Sequence, residues 1–223
     1  MEEFSILSGT GFFINRQYIV TNAHVVKGCS KVIIKGAVSE RKATVSFIDE
    51  NRDLALIESD MPPLEFAPLR YNIDELKTGD KVLIIGYPGE AGARGEYKMV
   101  ESQIENIQIN NVDNNKWLYI TDVLAHGNSG GPVFDTSGNV IGVVVAQAVF
   151  QPGSPKPEKI NSVGVVITLK TLQQFLFEHG VFTSISGSGV AFTDSYIEAR
   201  AKDYIVNVQC PLKTANHAQN STN

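Results

Sequence analysis

Three short segments of this chain carry side chains suited to nucleophilic chemistry, and they run in the order histidine, aspartate, serine. The first, Tyr18-Ile-Val-Thr-Asn-Ala-His24-Val-Val, delivers an imidazole at the end of a β-type run, where a scaffold can hold a base rigidly. The second, Asn51-Arg-Asp53-Leu-Ala-Leu-Ile, opens an apolar run with a carboxylate, and a charge entering a core needs a partner because an unpaired one is costly. In the third, Ala125-His-Gly127-Asn-Ser129-Gly-Gly131-Pro-Val-Phe, glycines flank a serine. They permit a turn whose backbone N–H groups converge on a developing oxyanion and let a substrate carbonyl approach. Taken singly, each has an ordinary reading: a structural histidine, a turn aspartate, a glycine-rich hairpin. Together they predict acyl transfer with Ser129 as nucleophile, His24 as general base and Asp53 orienting that base.

Such residues need a rigid frame, and the surrounding sequence reads as β. Short apolar runs bounded by Gly, Pro, Asn and Asp recur from residue 5 to residue 168. Strands are expected near Gly11–Ile14, Tyr18–Asn22, Lys31–Lys35, Ala43–Ile48 and Leu54–Glu58, forming a first barrel over about 1–60. Residues 61–78, with Pro62, Pro63 and Pro68, break the pattern and read as a connection. A second barrel over about 79–168 draws on Lys81–Ile85, Lys98–Ile109, Trp117–Thr121, Pro132–Phe134, Val140–Gln147 and Val163–Thr168. Leu169, Leu172, Phe175 and Leu176 then recur at helical spacing, giving a helix over 169–179 that stops at Gly180. Residues 1–180 are thus one catalytic unit. The extension 181–223, whose role is left open, contains a short polar helix at Asp194–Lys202, a strand at Tyr204–Val208 and a polar tail at Thr214–Asn223.

Composition narrows the function classes. A net charge of −5 with scattered Lys and Arg gives no basic stripe, so no nucleic-acid partner is expected. No run approaches the roughly 20 apolar residues of a membrane-spanning helix. Cys29 and Cys210 have neither metal-ligand nor CxxC spacing; whether they pair is open, and no metal or cofactor is expected. The acidic start, Met-Glu-Glu-Phe, lacks the features of a signal peptide. A periplasmic or secreted location is favoured if a leader has been removed, with a cytoplasmic one as the alternative.

The order His, Asp, Ser is that of chymotrypsin rather than of subtilisin or the α/β-hydrolases. The chain resembles the chymotrypsin-like serine peptidases, and specifically the protease domain of the bacterial HtrA (Deg) family. The segments that carry this are Ser8-Gly-Thr-Gly-Phe-Phe, Thr21-Asn-Ala-His24-Val-Val, Asp53-Leu-Ala-Leu-Ile, Ile85-Gly-Tyr-Pro, Thr121-Asp122, Gly127-Asn-Ser129-Gly-Gly-Pro and Val163-Gly-Val-Val-Ile. They span roughly residues 5–180. No segment of PDZ size follows Gly180, so the expected counterpart is the protease domain without a PDZ domain. Gly89-Glu-Ala-Gly-Ala-Arg-Gly95 also stands where relatives carry an activation loop.

The resemblance implies an all-β fold of two six-stranded Greek-key barrels with a C-terminal helix, and an endopeptidase acting through an acyl-enzyme. Its oxyanion hole lies in the turn Gly127, Asn128 and Ser129, with the N–H groups of Gly127 and Ser129 as donors. Polypeptide substrates are expected to add as a β-strand along Val144, Val145, Ala146 and Gln147. The pocket is implied at Val123, Leu124, Val144 and Ala146, whose apolar character favours a small or medium aliphatic residue at the cleavage site. The competing reading is Asp122 at the pocket base, selecting Lys or Arg, although it lies seven residues before Ser129, one further than the trypsin-type acid. His126 is a candidate for the pocket rim, and the loop Phe150–Asn161 for a pocket wall. Oligomeric state is left open.

Overall fold

The computed structural model describes residues 4–109, 116–121, 124–145, 164–187 and 189–213. Five strands come first: β1 (Phe4–Phe13), β2 (Tyr18–Thr21), β3 (Lys31–Gly36), β4 (Arg41–Asp49) and β5 (Leu54–Glu58), with a single 3-10 turn at Ala23–Val25. Next come β6 (Leu69–Arg70), β7 (Lys81–Gly86), the short helix α1 (Gly89–Ala93), β8 (Lys98–Ile109), β9 (Lys116–Ile120), β10 (Pro132–Phe134), β11 (Val140–Val145) and β12 (Gly164–Thr168). The chain continues through helix α2 (Leu169–Glu178), β13 (Ile185–Ser186), helix α3 (Asp194–Ala201) and β14 (Ile205–Lys213).

The strands close into two six-stranded barrels. In the first, the order is β1-β14-β3-β4-β5-β2, every pair antiparallel. In the second, β10-β7-β8-β9-β12-β11 is closed by the pairing of β10 with β11; β6 is appended in parallel on β11, and β13 in parallel on β6. The expected two-barrel fold with its helix after the second barrel is therefore the observed one.

Each predicted strand has a counterpart, and the apolar runs that suggested them are the core. Phe12, Ile19, Ile34, Leu56, Ile57 and Val208 are fully buried in the first barrel. Val82, Ile104, Leu118, Ile141, Val144 and Val166 fill the second. Burying each such side chain is worth about 2 kcal/mol over leaving it in water.

Two features go beyond the sequence reading. The connection between the barrels contributes β6, which pairs Leu69 with Val140. The extension 181–223, left without a role above, supplies β14, seated between β1 and β3 with Gly9 opposite Val208 and Thr10 opposite Asn207. The first barrel is thus built from both ends of the described chain. A disulfide joins Cys29, just after the histidine turn, to Cys210 on β14 across 181 residues of sequence.

Candidate active site

His24 sits at the centre of the 3-10 turn that follows β2, and Asp53 is the last residue before β5. β2 and β5 are paired, Thr21 opposite Ala55, so the two short approaches converge on one point. The turn that presents Asp53 is shaped by Asp49, whose Oδ1 accepts the N–H groups of Asn51 and Arg52, both at 3.0 Å. It leaves Asp53 with φ of +53°, the one non-glycine residue with positive φ among those described. Aspartate tolerates that region better than most residues. Asn22 braces the strained position by donating its Nδ2–H to the Asp53 carbonyl at 2.9 Å.

The reward is a two-point grip on His24. One carboxylate oxygen of Asp53 accepts the His24 backbone N–H at 3.0 Å, and the other lies 2.8 Å from ring nitrogen Nδ1. A carboxylate only accepts, so Nδ1 is the donor in this pair, and a neutral ring held this way keeps its lone pair on Nε2. Asp53 is the more sheltered partner, with 23% of its side-chain surface exposed against 46% for His24.

The serine turn is packed into the second barrel. Ser129 and Asn128 are buried, while His126 is exposed. Gly127 has φ of +96° and Gly130 of +82°. A β-carbon at Gly127 would press into the Tyr87 carbonyl, and one at Gly130 into the Thr10 carbonyl. Both glycines are therefore demanded twice, by conformation and by space. Asn128 N–H donates to the Ala125 carbonyl at 3.2 Å, Gly131 N–H to Asn128 at 2.9 Å and Gly130 N–H to Val144 at 2.9 Å. The His126 carbonyl accepts the N–H of Gly89, at the start of α1, at 2.6 Å. Since a trans peptide sets C=O and N–H on opposite sides, that bond aims the Gly127 N–H away from Gly89.

The barrels meet at this place. Thr10 N–H donates to the Ser129 carbonyl at 2.8 Å, and the position of a Gly130 β-carbon lies 2.9 Å from Asn22 N, two residues before His24. The structure therefore brings the serine turn against the end of the histidine strand. Among the predicted pocket residues, Leu124 and Val144 are buried and Val145 is half-buried. Val144 has both main-chain groups committed to the serine turn, its N–H donating to Gly131 at 2.9 Å and its carbonyl accepting from Gly130. Asp122, Val123, Ala146, Gln147 and the loop Phe150–Asn161 lie outside the described residues. No cluster of metal-ligating side chains occurs among the described residues.

The sequence by itself assigns no role at the site to Thr10, Thr21, Asn22 or Gly89. Polar residues at the ends of otherwise apolar strands, Thr10 and Thr21 both fully buried, were the available signal.

The pattern described as trypsin-like peptidase domain matches residues 9–143, more than half of the chain. Serine protease Rv3671c of Mycobacterium tuberculosis is 33% identical over 154 residues, covering 65% of this chain and 37% of that protein. An uncharacterized protein, y4bJ, of Sinorhizobium fredii is 30% identical over 217 residues, covering 91% of this chain and 32% of the relative. This chain thus spans about a third of the length of the curated relatives it matches. Among solved structures, the active form of the Rv3671c protease superposes with a TM-score of 0.62 at 28% identity, covering 80% of this chain and 76% of that one. The HtrA-type protease AlgW with a decapeptide gives 0.61 at 27%, covering 78% and 52%. With a histidine and an aspartate on one barrel, a glycine-bound serine turn on the other and these likenesses, the chain belongs to the trypsin-like serine peptidases, of the HtrA-like kind.

Proposed function

We infer that the chain hydrolyses peptide bonds of proteins through an acyl-enzyme on Ser129. The observation that carries the reading is the two-point hold of Asp53 on His24, which fixes the tautomer whose Nε2 can take a proton. In acylation, Ser129 Oγ attacks the scissile carbonyl while His24 Nε2 removes its proton. Asp53 stays ionised and stabilises the imidazolium. The tetrahedral intermediate collapses with cleavage of the C–N bond as His24 returns the proton to the leaving amine. Water, deprotonated by the same nitrogen, then releases the acid and restores Ser129.

The charge that develops on the carbonyl oxygen is met by the N–H groups of Gly127 and Ser129. Asn128 belongs to the same turn, but its N–H already serves Ala125, so its part is to shape the hole. Pre-aimed donors of this kind are usually the largest single contribution to such catalysis.

Polypeptide substrate adds as a β-strand beyond Val145, because Val144 is already occupied by the serine turn. The apolar lining contributed by Leu124 and Val144 supports a small or medium aliphatic residue at the cleavage site. The Cys29–Cys210 disulfide and relatives named as periplasmic DegP-like endoproteases support action in an oxidising compartment, periplasmic or extracellular.

The test is labelling by a fluorophosphonate probe together with cleavage profiling on a protein mixture. Wild type labels and cuts after aliphatic residues, and Ser129→Ala does neither. Absence of labelling and cleavage across pH 5–9 sinks the peptidase reading, whereas a profile dominated by Lys and Arg sinks only the aliphatic pocket and points to Asp122.

A further inference from the structure

The segment Ser8-Gly-Thr10-Gly-Phe-Phe supplies no member of the triad, yet Thr10 is fully buried and uses every hydrogen-bonding group it has at the site. Its N–H donates to the Ser129 carbonyl at 2.8 Å. Its carbonyl accepts from Thr21 Oγ1 at 2.7 Å, at the end of the strand that delivers His24. Its hydroxyl accepts the Tyr87 N–H at 2.9 Å and donates to the Gly127 carbonyl at 2.6 Å. One hydroxyl proton and two lone pairs make the last two roles compatible.

Around this residue there is no slack. A β-carbon at Gly86 would stand 2.8 Å from Thr10 Oγ1, and one at Gly131 would stand 3.3 Å from Cγ2. Gly127 is the position that most needs outside support, because glycine has little conformational preference of its own. Both peptides flanking it are pinned: the preceding one by Gly89 N–H on the His126 carbonyl, the following one by the Thr10 hydroxyl on the Gly127 carbonyl and by Ala125 on the Asn128 N–H.

We propose that Thr10 is a positioning residue for catalysis: its hydroxyl and backbone fix the Gly127 and Ser129 carbonyls of the serine turn, and thereby the oxyanion donors, relative to the strand that carries His24. The proposal rests on the triad and oxyanion reading above. Thr10 touches no reacting atom; it acts through the turn. Valine at this position has the shape and the main-chain bonds without the two hydroxyl bonds, and serine keeps all four with one methyl fewer.

The test compares wild type, Thr10→Val and Thr10→Ser by steady-state kinetics on one peptide, well below the melting temperature of each. Misplacing an active-site group by a fraction of an ångström to about 1 Å costs up to about a hundredfold. Thr10→Val is therefore expected to lose about ten- to a hundredfold in kcat with KM within about threefold. Thr10→Ser should stay within about threefold of wild type. The downfield proton NMR signal of His24 Nδ1–H on Asp53 should persist in Thr10→Val, showing that the loss arises on the serine side. Equal kcat in wild type and Thr10→Val, a loss in Thr10→Ser as large as in Thr10→Val, or disappearance of the downfield signal overturns the proposal. If Thr10→Val does not fold, Thr10→Ala against Thr10→Ser is read by the same measures, and equal kcat in those two overturns it. Wild type that neither labels nor cleaves fails at the earlier step and removes the peptidase reading itself.

Discussion

The two halves of the site are held in different ways. The His24–Asp53 half is local: two paired strands, one turn capped by Asp49, and direct bonds between the two side chains concerned. The Ser129 half is held from a distance, its carbonyls gripped by Thr10 of the other barrel and its leading peptide by Gly89 of α1. A base can be oriented by one neighbour because only one ring must be aimed. An oxyanion hole needs two amides fixed together, and flexible glycine turns cannot do that unaided. The local half should therefore fail through chemistry, and the distant half through geometry.

The largest effect should come from the local half. Asp53→Asn keeps the shape but is expected to favour the wrong imidazole tautomer, lowering kcat by about 10⁴-fold with little change in melting temperature. A loss under about tenfold, measured with a peptide substrate, would show that Asp53 is not the orienter. On the distant half, Gly127→Ala should cost about 10²–10³ in kcat through displaced donors, while the downfield His24 proton signal stays in place. Loss of that signal would show that the halves are less separate than their hydrogen bonds suggest.

The disulfide between the histidine turn and β14 should act on stability before chemistry. Reduction, or Cys210→Ser, is expected to lower unfolding free energy by about 2–4 kcal/mol, the typical contribution of a disulfide. Denaturant titration with and without reductant measures it. The smallest effect concerns Arg52, next to Asp53, which binds Glu178 at the end of α2, with Nη2 to Oε1 at 2.9 Å. The Arg52 hydrogen bond holds the Glu178 carboxyl below its ordinary value, helped by Gln174. A lowered acid stabilises the fold at pH above its unfolded pKa and loses that contribution as pH falls through the folded one. The melting-temperature gap between wild type and Glu178→Gln should therefore shrink on acidification from neutrality to below the glutamate range. A gap that widens would refute the assignment.

Much of this is legible in the sequence alone. Strands at Tyr18, Leu54, Lys98 and Pro132 follow from apolar runs between breakers, and α2 from Leu169, Leu172, Phe175 and Leu176. The triad candidates stood out because nucleophile, base and acid come from a short list of residue types. What sequence did not disclose is pairing at long range. Nothing local in Ile205–Lys213 says that it lies between β1 and β3, because register is settled by the partner strands. Nor does Gly89–Ala93, rich in glycine, announce a helix whose first N–H holds the serine turn. Thr10 is hidden for a related reason: it stands between two glycines just ahead of the strand expected at Gly11–Ile14, and only the fold shows it as a buried bridge.

The place of β14 also has a consequence in time. The strand that completes the barrel bearing His24 and Asp53 ends at Lys213, some two hundred residues after the strand it pairs with begins at Phe4. During synthesis the first barrel stays an open sheet, its β1 and β3 edges unsatisfied, through the making of the entire second barrel. A growing chain therefore contains His24, Asp53 and Ser129 well before β14 can close the barrel that carries the first two.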